Sequence, residues 1–138
     1  AIENGADEID LVWNISAFKT GQPWTKIEIA KCSAFTHNCN KLLKVIIETA
    51  YLSDPELEKA CNICADAGAD FVKTSTGFAP SGAKKETIAR MKELLPNHVG
   101  IKASGGIKTY DQALSMVEAG ASRIGTSSGT AIINRTNP

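Results

Sequence analysis

Four charged residues stand where buried strands should be apolar. Asp10 lies within Ile9-Asp10-Leu11-Val12-Trp13, and Lys44 within Leu43-Lys44-Val45-Ile46-Ile47-Glu48-Thr49. Lys73 lies within Phe71-Val72-Lys73-Thr74, and Lys102 within Val99-Gly100-Ile101-Lys102-Ala103. Parallel strands covered on both faces are otherwise nearly continuous apolar runs, and an unpaired charge in such a strand costs several kcal/mol. A single buried lysine could be the structural partner of one aspartate. Three lysines against one aspartate exceed that need. Schiff-base chemistry uses such an excess. It requires a neutral amine, and a free lysine with a pKa of about 10.4 is almost wholly protonated at neutral pH. Burial and a neighbouring cation both lower that value. Lys73 and Lys102, on adjacent strands, fit a nucleophile and its electrostatic activator. Asp10 and Lys44 could then relay the proton that carbon–carbon cleavage moves.

Small-residue loops follow these strands. Thr74-Ser75-Thr76-Gly77 comes directly after Lys73, Ser104-Gly105-Gly106 after Lys102, and Gly125-Thr126-Ser127-Ser128-Gly129 ends the last strand. Backbone N–H groups at glycine turns and helix starts bind anions with little help from side-chain charge. Loops after the last two strands are a recurrent phosphate site of barrel folds.

The elements that must carry these residues alternate along the chain. Gly5, Gly68 and Gly120 each close a predicted helix in the left-handed conformation and lead into a β-rich run. Helices are expected over residues 24–35, 55–68, 85–95 and 110–120. Leu57, Ala60, Cys61 and Cys64 form one apolar stripe, Ile88, Met91 and Leu95 a second, and Tyr110, Ala113, Leu114 and Val117 a third. Ile27, Ala30 and Ala34 mark a weaker face on the first helix. Ser53 with Glu56, and Thr109 with Gln112, read as capping boxes. Strand starts recur about every 24–34 residues with a helix between each pair, the βαβ rhythm of a parallel α/β fold. A doubly wound sheet and part of a (β/α) barrel both satisfy it, and both bind ligands at the carboxyl ends of the strands.

Composition narrows the function. With 138 residues, 15 basic and 15 acidic side chains and a formal net charge of zero, nothing favours nucleic acid or an anionic membrane surface. No apolar run reaches a membrane span and no signal peptide is evident, so cytoplasmic reduced thiols are expected. Cys61-Asn62-Ile63-Cys64 has redox spacing but lies on a predicted core face, and Cys32, His37 and Cys39 make an incomplete metal set. The charges of residues 84–93 read as a solvated helix face, and Trp13 as packing.

Two segments, Asp70-Phe71-Val72-Lys73-Thr74-Ser75-Thr76-Gly77 and Ile101-Lys102-Ala103-Ser104-Gly105-Gly106-Ile107-Lys108-Thr109, resemble the two lysine signatures of the deoxyribose-phosphate aldolase family. Gly5–Asp10, Leu42–Thr49 and Arg123–Ser128 are similar to three of its other strands, in the same order and spacing. The resemblance covers about residues 3–132 and implies a class I, Schiff-base carbon–carbon lyase on a TIM (β/α)8 barrel. It implies cleavage of 2-deoxyribose 5-phosphate to glyceraldehyde 3-phosphate and acetaldehyde, without cofactor or metal. It gives Lys73 the Schiff base, Lys102 the depression of its pKa, and Asp10 the proton relay with Lys44 nearby. Gly77, Gly105, Gly106, Ser127 and Ser128 would hold the phosphate, and the protein would be a homo-oligomer. Only five βα units are matched, strands four to eight of the family barrel, so residues 1–138 are expected to be a single truncated barrel domain. The alternative is an inactive half-barrel that binds phosphate or self-associates. Phe78 stands where some members carry lysine, and Lys108 where arginine is common, a point charge in place of a bidentate fork.

Overall fold

The computed structural model describes residues 1–135. Five parallel strands form one sheet: β1 (Glu8–Val12), β2 (Leu42–Ile46), β3 (Phe71–Lys73), β4 (Gly100–Ser104) and β5 (Arg123–Gly125). Between and around them lie α1 (Ile15–Lys19), α2 (Trp24–Asn38), α3 (Asp54–Asp66), α4 (Lys85–Leu94), α5 (Tyr110–Glu118) and α6 (Gly129–Asn134). The strand order is β1-β2-β3-β4-β5, with every pair parallel. A doubly wound sheet reverses its order at a switch point. This one never does, which leaves the barrel arrangement.

Register sorts the side chains into two populations. Asp10 pairs with Lys44, Ile46 with Lys73, Lys73 with Lys102, and Lys102 with Arg123, so all the strand charges share one face. The residues between them, Leu43, Val45, Val72, Ile101 and Ala103, are buried in the core with Ile29, Cys61, Cys64, Ile88 and Met91 of the helices. The sheet is rolled around its charged face. Four strand spacings would put β1 and β5 roughly 19 Å apart if flat, beyond the combined reach of two side chains, yet Arg123 of β5 hydrogen-bonds Glu8 of β1.

Both expected capping boxes are present, and Gly5, Gly68 and Gly120 all have positive φ. The stripes of α3 and α4 are buried as the periodicity predicts. Two others are displaced. On α2 the buried residues are Thr25, Ile29, Ser33 and Thr36, while Ile27 is exposed. These hydroxyls tolerate burial because each donates to a carbonyl, Ser33 to Gly68 at 2.6 Å and Thr36 to Ser33 at 2.9 Å. On α5 the core takes Ala113 and Met116, and Leu114 and Val117 face outward. Strand β2 is also shorter than expected. It ends at Ile46, and Glu48 then adopts the left-handed conformation with φ 53°. The short helices α1 and α6 lack an apolar period long enough to be read in the sequence.

Candidate active site

Asp10 is the hub of the charged face. Its carboxylate accepts from Lys73 Nζ at 2.8 Å, lies 3.1 Å from Lys44 Nζ and 3.7 Å from Lys102 Nζ. The alternating pleat of three neighbouring strands makes this possible, since each lysine projects from the same side of the sheet as Asp10. Lys44 is 4% exposed, Lys73 13% and Lys102 21%. Lys73 and Lys102 address the same carboxylate oxygen, so the two ammonium groups crowd one anion.

The electrostatics follow from that crowding. Burial alone would push the Asp10 carboxyl up. The hydrogen bonds from Lys73 and Lys44, with the charges of Lys73 and Lys102, outweigh it and hold the group below the ordinary aspartate range. Burial lowers the Lys102 amine, Asp10 opposes this, and the charges of Lys73 and Lys44 add to the lowering, leaving it below the usual lysine value. Two lysines and a carboxylate held within reach of one another can add an amine to a carbonyl and move protons around the product.

Two further charges complete the face and carried no assigned role in the sequence. Glu8 accepts from Lys44 at 2.7 Å and from Arg123, whose guanidinium also stacks 4.4 Å from the Phe71 ring. Glu8 is the closer partner of Lys44, which divides the cations: Glu8 balances Lys44 and Arg123, and Asp10 is left chiefly to Lys73 and Lys102. The hydrogen bond from Arg123 and then that from Lys44 hold the Glu8 carboxyl down at about 2. The partners are 115 positions apart, so no local pattern announces them.

Beside Lys73 and Lys102 opens a cavity of about 330 Å³. Gly77, Gly105, Gly106 and Ser127 line it, as the loop reading expected. Ser128 lies just beyond, its N–H donating to Thr126 Oγ1 at 2.9 Å. Thr76, Ser104 and Thr126, members of the same small-residue loops, and Lys108, read as a point charge in place of arginine, also line the cavity. Gly105 has to be glycine here. Its φ is 87°, and an added Cβ would come within 2.9 Å of the Gly82 backbone. The loop after Lys73 is tied to β4 through Thr74 Oγ1, which donates to Ser104 O and accepts from Ser104 N–H, both at 3.0 Å. A larger apolar groove of about 550 Å³, lined by Ile2, Ile9, Cys32 and Phe35 among others, contains none of these charges.

The remaining motifs are structural. Trp13 is buried, stacks on Phe18 and donates its indole N–H to Ile47 O at 2.9 Å. Cys61 and Cys64 are free thiols in the core, and burial pushes Cys61 up to about 12 and Cys64 higher still. His37 pairs with Asp70 at 2.8 Å. Among the described residues no group of three His, Cys, Asp or Glu side chains could hold a metal ion, and no helix is long and apolar enough to cross a membrane.

Comparison with known proteins bears on the same strands. A family model described as DeoC/LacD family aldolase matches residues 1–135. A deoxyribose-phosphate aldolase of Caldicellulosiruptor saccharolyticus is 55% identical over 136 residues, 97% of this chain and 62% of that protein. A solved structure described as "QR15, an Aldolase" superposes with a TM-score of 0.90 at 46% identity, covering 96% of this chain and 60% of that one. The deoxyribose phosphate aldolase of Aeropyrum pernix, described as a unique tetrameric structure, gives a TM-score of 0.87 at 34% identity, covering 96% and 56%. The chain thus spans about 60% of the length of the relatives it matches.

Proposed function

Given that this chain belongs to the DeoC/LacD aldolase family, we propose that it carries the Schiff-base machinery of a deoxyribose-phosphate aldolase, with Lys73 as the nucleophile. The observation that supports this most is a single carboxylate, Asp10, shared by Lys73 and Lys102 at the mouth of a cavity walled by glycine and hydroxyl loops.

In this reading Lys73 first gives up a proton, its amine adds to the C1 aldehyde of 2-deoxyribose 5-phosphate, and water leaves to give an iminium ion. Asp10, with Lys44 beside it, takes the C3 hydroxyl proton, and the charge of Lys102 favours the neutral form of the Lys73 amine. The C2–C3 bond then breaks, its electron pair moves into the iminium to form an enamine, and glyceraldehyde 3-phosphate departs. Protonation of the enamine at its terminal carbon and hydrolysis release acetaldehyde and regenerate the amine. Lys44, neutralised mainly by Glu8, holds the other oxygen of Asp10. Gly77, Gly105, Gly106 and Ser127, with Ser128 at the start of α6, hold the phosphate, and Lys108 adds a point charge. The same reading makes the phosphorylated sugar and acetaldehyde its partners, the cytoplasm its compartment and a homo-oligomer its assembly.

The test is intact mass after incubation with acetaldehyde and borohydride, for this chain and for Lys73→Leu. One N-ethyl adduct that vanishes in the variant is the expected result. A folded chain that forms no adduct would refute activity in this chain and leave the half-barrel that binds phosphate or self-associates.

A further inference from the structure

Glu48 is a buried, charged residue that the mechanism above does not use. It is 3% exposed, and it follows β2 in the left-handed conformation with φ 53° and ψ 68°. Non-glycine side chains seldom adopt that conformation, and it persists only where the surroundings impose it. The regular β2–β3 pairing ends at Ile46 and Lys73, but one backbone hydrogen bond on each side of Glu48 still joins the two segments. Ile47 N–H donates to Lys73 O at 3.1 Å and Thr49 N–H to Thr74 O at 2.8 Å. The backbone kink therefore comes just past the last regular pair and aims one carboxylate at the loop beyond Lys73, while the two flanking hydrogen bonds keep the segments joined.

That carboxylate takes both donors of one residue. Thr76 N–H lies 3.1 and 3.2 Å from its two oxygens, and Thr76 Oγ1 donates to Oε2. Thr76 Oγ1 in turn accepts from Phe78 N–H at 3.2 Å, closing a turn around Gly77, whose φ is 102°. Thr76 and Gly77 form part of the cavity wall. With its N–H and O–H committed to Glu48, Thr76 shapes the wall and leaves the anion to its neighbours.

Resting on the phosphate assignment given above, we propose that Glu48 is the positioning residue of the phosphate-facing turn Thr76-Gly77-Phe78. Its role separates from that of Lys73, which is held through its own strand by β2 and β4. It also opposes simple electrostatics. A carboxylate near an anion site repels the anion, so removing its charge should tighten phosphate binding if charge alone mattered. If Glu48 positions the turn, removing it should weaken binding.

The experiment compares the wild-type chain, Glu48→Gln and Glu48→Gly for affinity toward inorganic phosphate by calorimetry, and for acetaldehyde trapping at Lys73. Glutamine keeps the shape and one good acceptor, and glycine fits the left-handed backbone while removing the clamp. The expected result is about tenfold weaker phosphate binding in the glycine variant, with a smaller loss in the glutamine variant. Trapping should stay within about twofold of wild type in both. Equal or tighter phosphate binding in the variants would overturn the proposal, as would a parallel fall in binding and trapping. If the glycine variant does not fold, the glutamine variant decides by the direction of its change. A wild-type chain without measurable phosphate affinity would remove the phosphate assignment itself, and the proposal with it.

Discussion

Replacing Glu8 with glutamine probes the balance of charge on the inner face of the sheet. The Glu8 carboxyl is held at about 2 against an ordinary 4.5, first by the hydrogen bond from Arg123 and then by that from Lys44. At about 1.4 kcal/mol per unit, that displacement corresponds to roughly 3 kcal/mol. Solvent reaches 30% of the side chain, and screening reduces the expected contribution to about 1–2 kcal/mol. The sign follows from the direction of the shift. A carboxyl whose folded pKa is depressed stabilises the fold above its unfolded pKa, and this stabilisation is lost as pH falls from about 4.5 toward about 2. Glu8→Gln should therefore unfold at lower urea than wild type at neutral pH, by about 1–2 kcal/mol. The two proteins should converge as the solution is acidified through that window. Urea titrations followed by the fluorescence of the buried Trp13, repeated from neutral to acid pH, measure the gap directly. A gap that keeps its full size at the acid end of the window would refute the argument, because the loss would then come from packing and not from charge.

Lys102→Met should slow acetaldehyde trapping at Lys73 by about tenfold or more, the effect of losing a neighbouring charge worth about one pKa unit on the amine. It should not destabilise the fold at neutral pH. Burial disfavours the charged form of Lys102, so that penalty is present below its lowered folded pKa and fades as pH rises toward 10.5. Urea midpoints of the two proteins across alkaline pH check this. Cys61 and Cys64, with raised thiol pKa values, should resist a thiol reagent in the native state and react only on unfolding, while the partly exposed Cys39 reacts first. Mass mapping of labelled peptides against time decides it.

The legibility of this chain tracks the range of the interactions involved. The Asp10, Lys44, Lys73 and Lys102 set stands out because charge in an otherwise apolar strand is conspicuous in one dimension. α3 and α4 are equally plain, since their buried faces are aliphatic and thiol at helical spacing. α2 is not, because its buried face includes Thr25, Ser33 and Thr36, hydroxyls whose burial depends on nearby carbonyls. Leu114 and Val117 mislead for the opposite reason, as apolar residues that the described residues leave exposed. The end of β2 is missed because glutamate is not a residue from which a left-handed backbone would be inferred. Glu8 and Arg123 sit inside motifs that resemblance picked out, but their pairing exists only once the sheet has rolled. Thr76, Lys108 and Thr126 join the cavity by the same folding, and a loop's composition does not say which of its residues face inward.

The division of each strand into alternate charged and apolar positions constrains how such a chain can change length over evolution. Deleting one residue ahead of Lys44 within β2 would turn its ammonium toward the aliphatic core and bring Leu43 or Val45 to face Asp10, exchanging two populations in one step. The same holds for β3 and β4, whose Lys73 and Lys102 would turn away from Asp10. Insertions and deletions should therefore accumulate in the exposed connections, such as the stretch from Thr20 to Gln22, where no register is read. In this architecture the parity of the residue count within a strand is held as tightly as the charged residues it places.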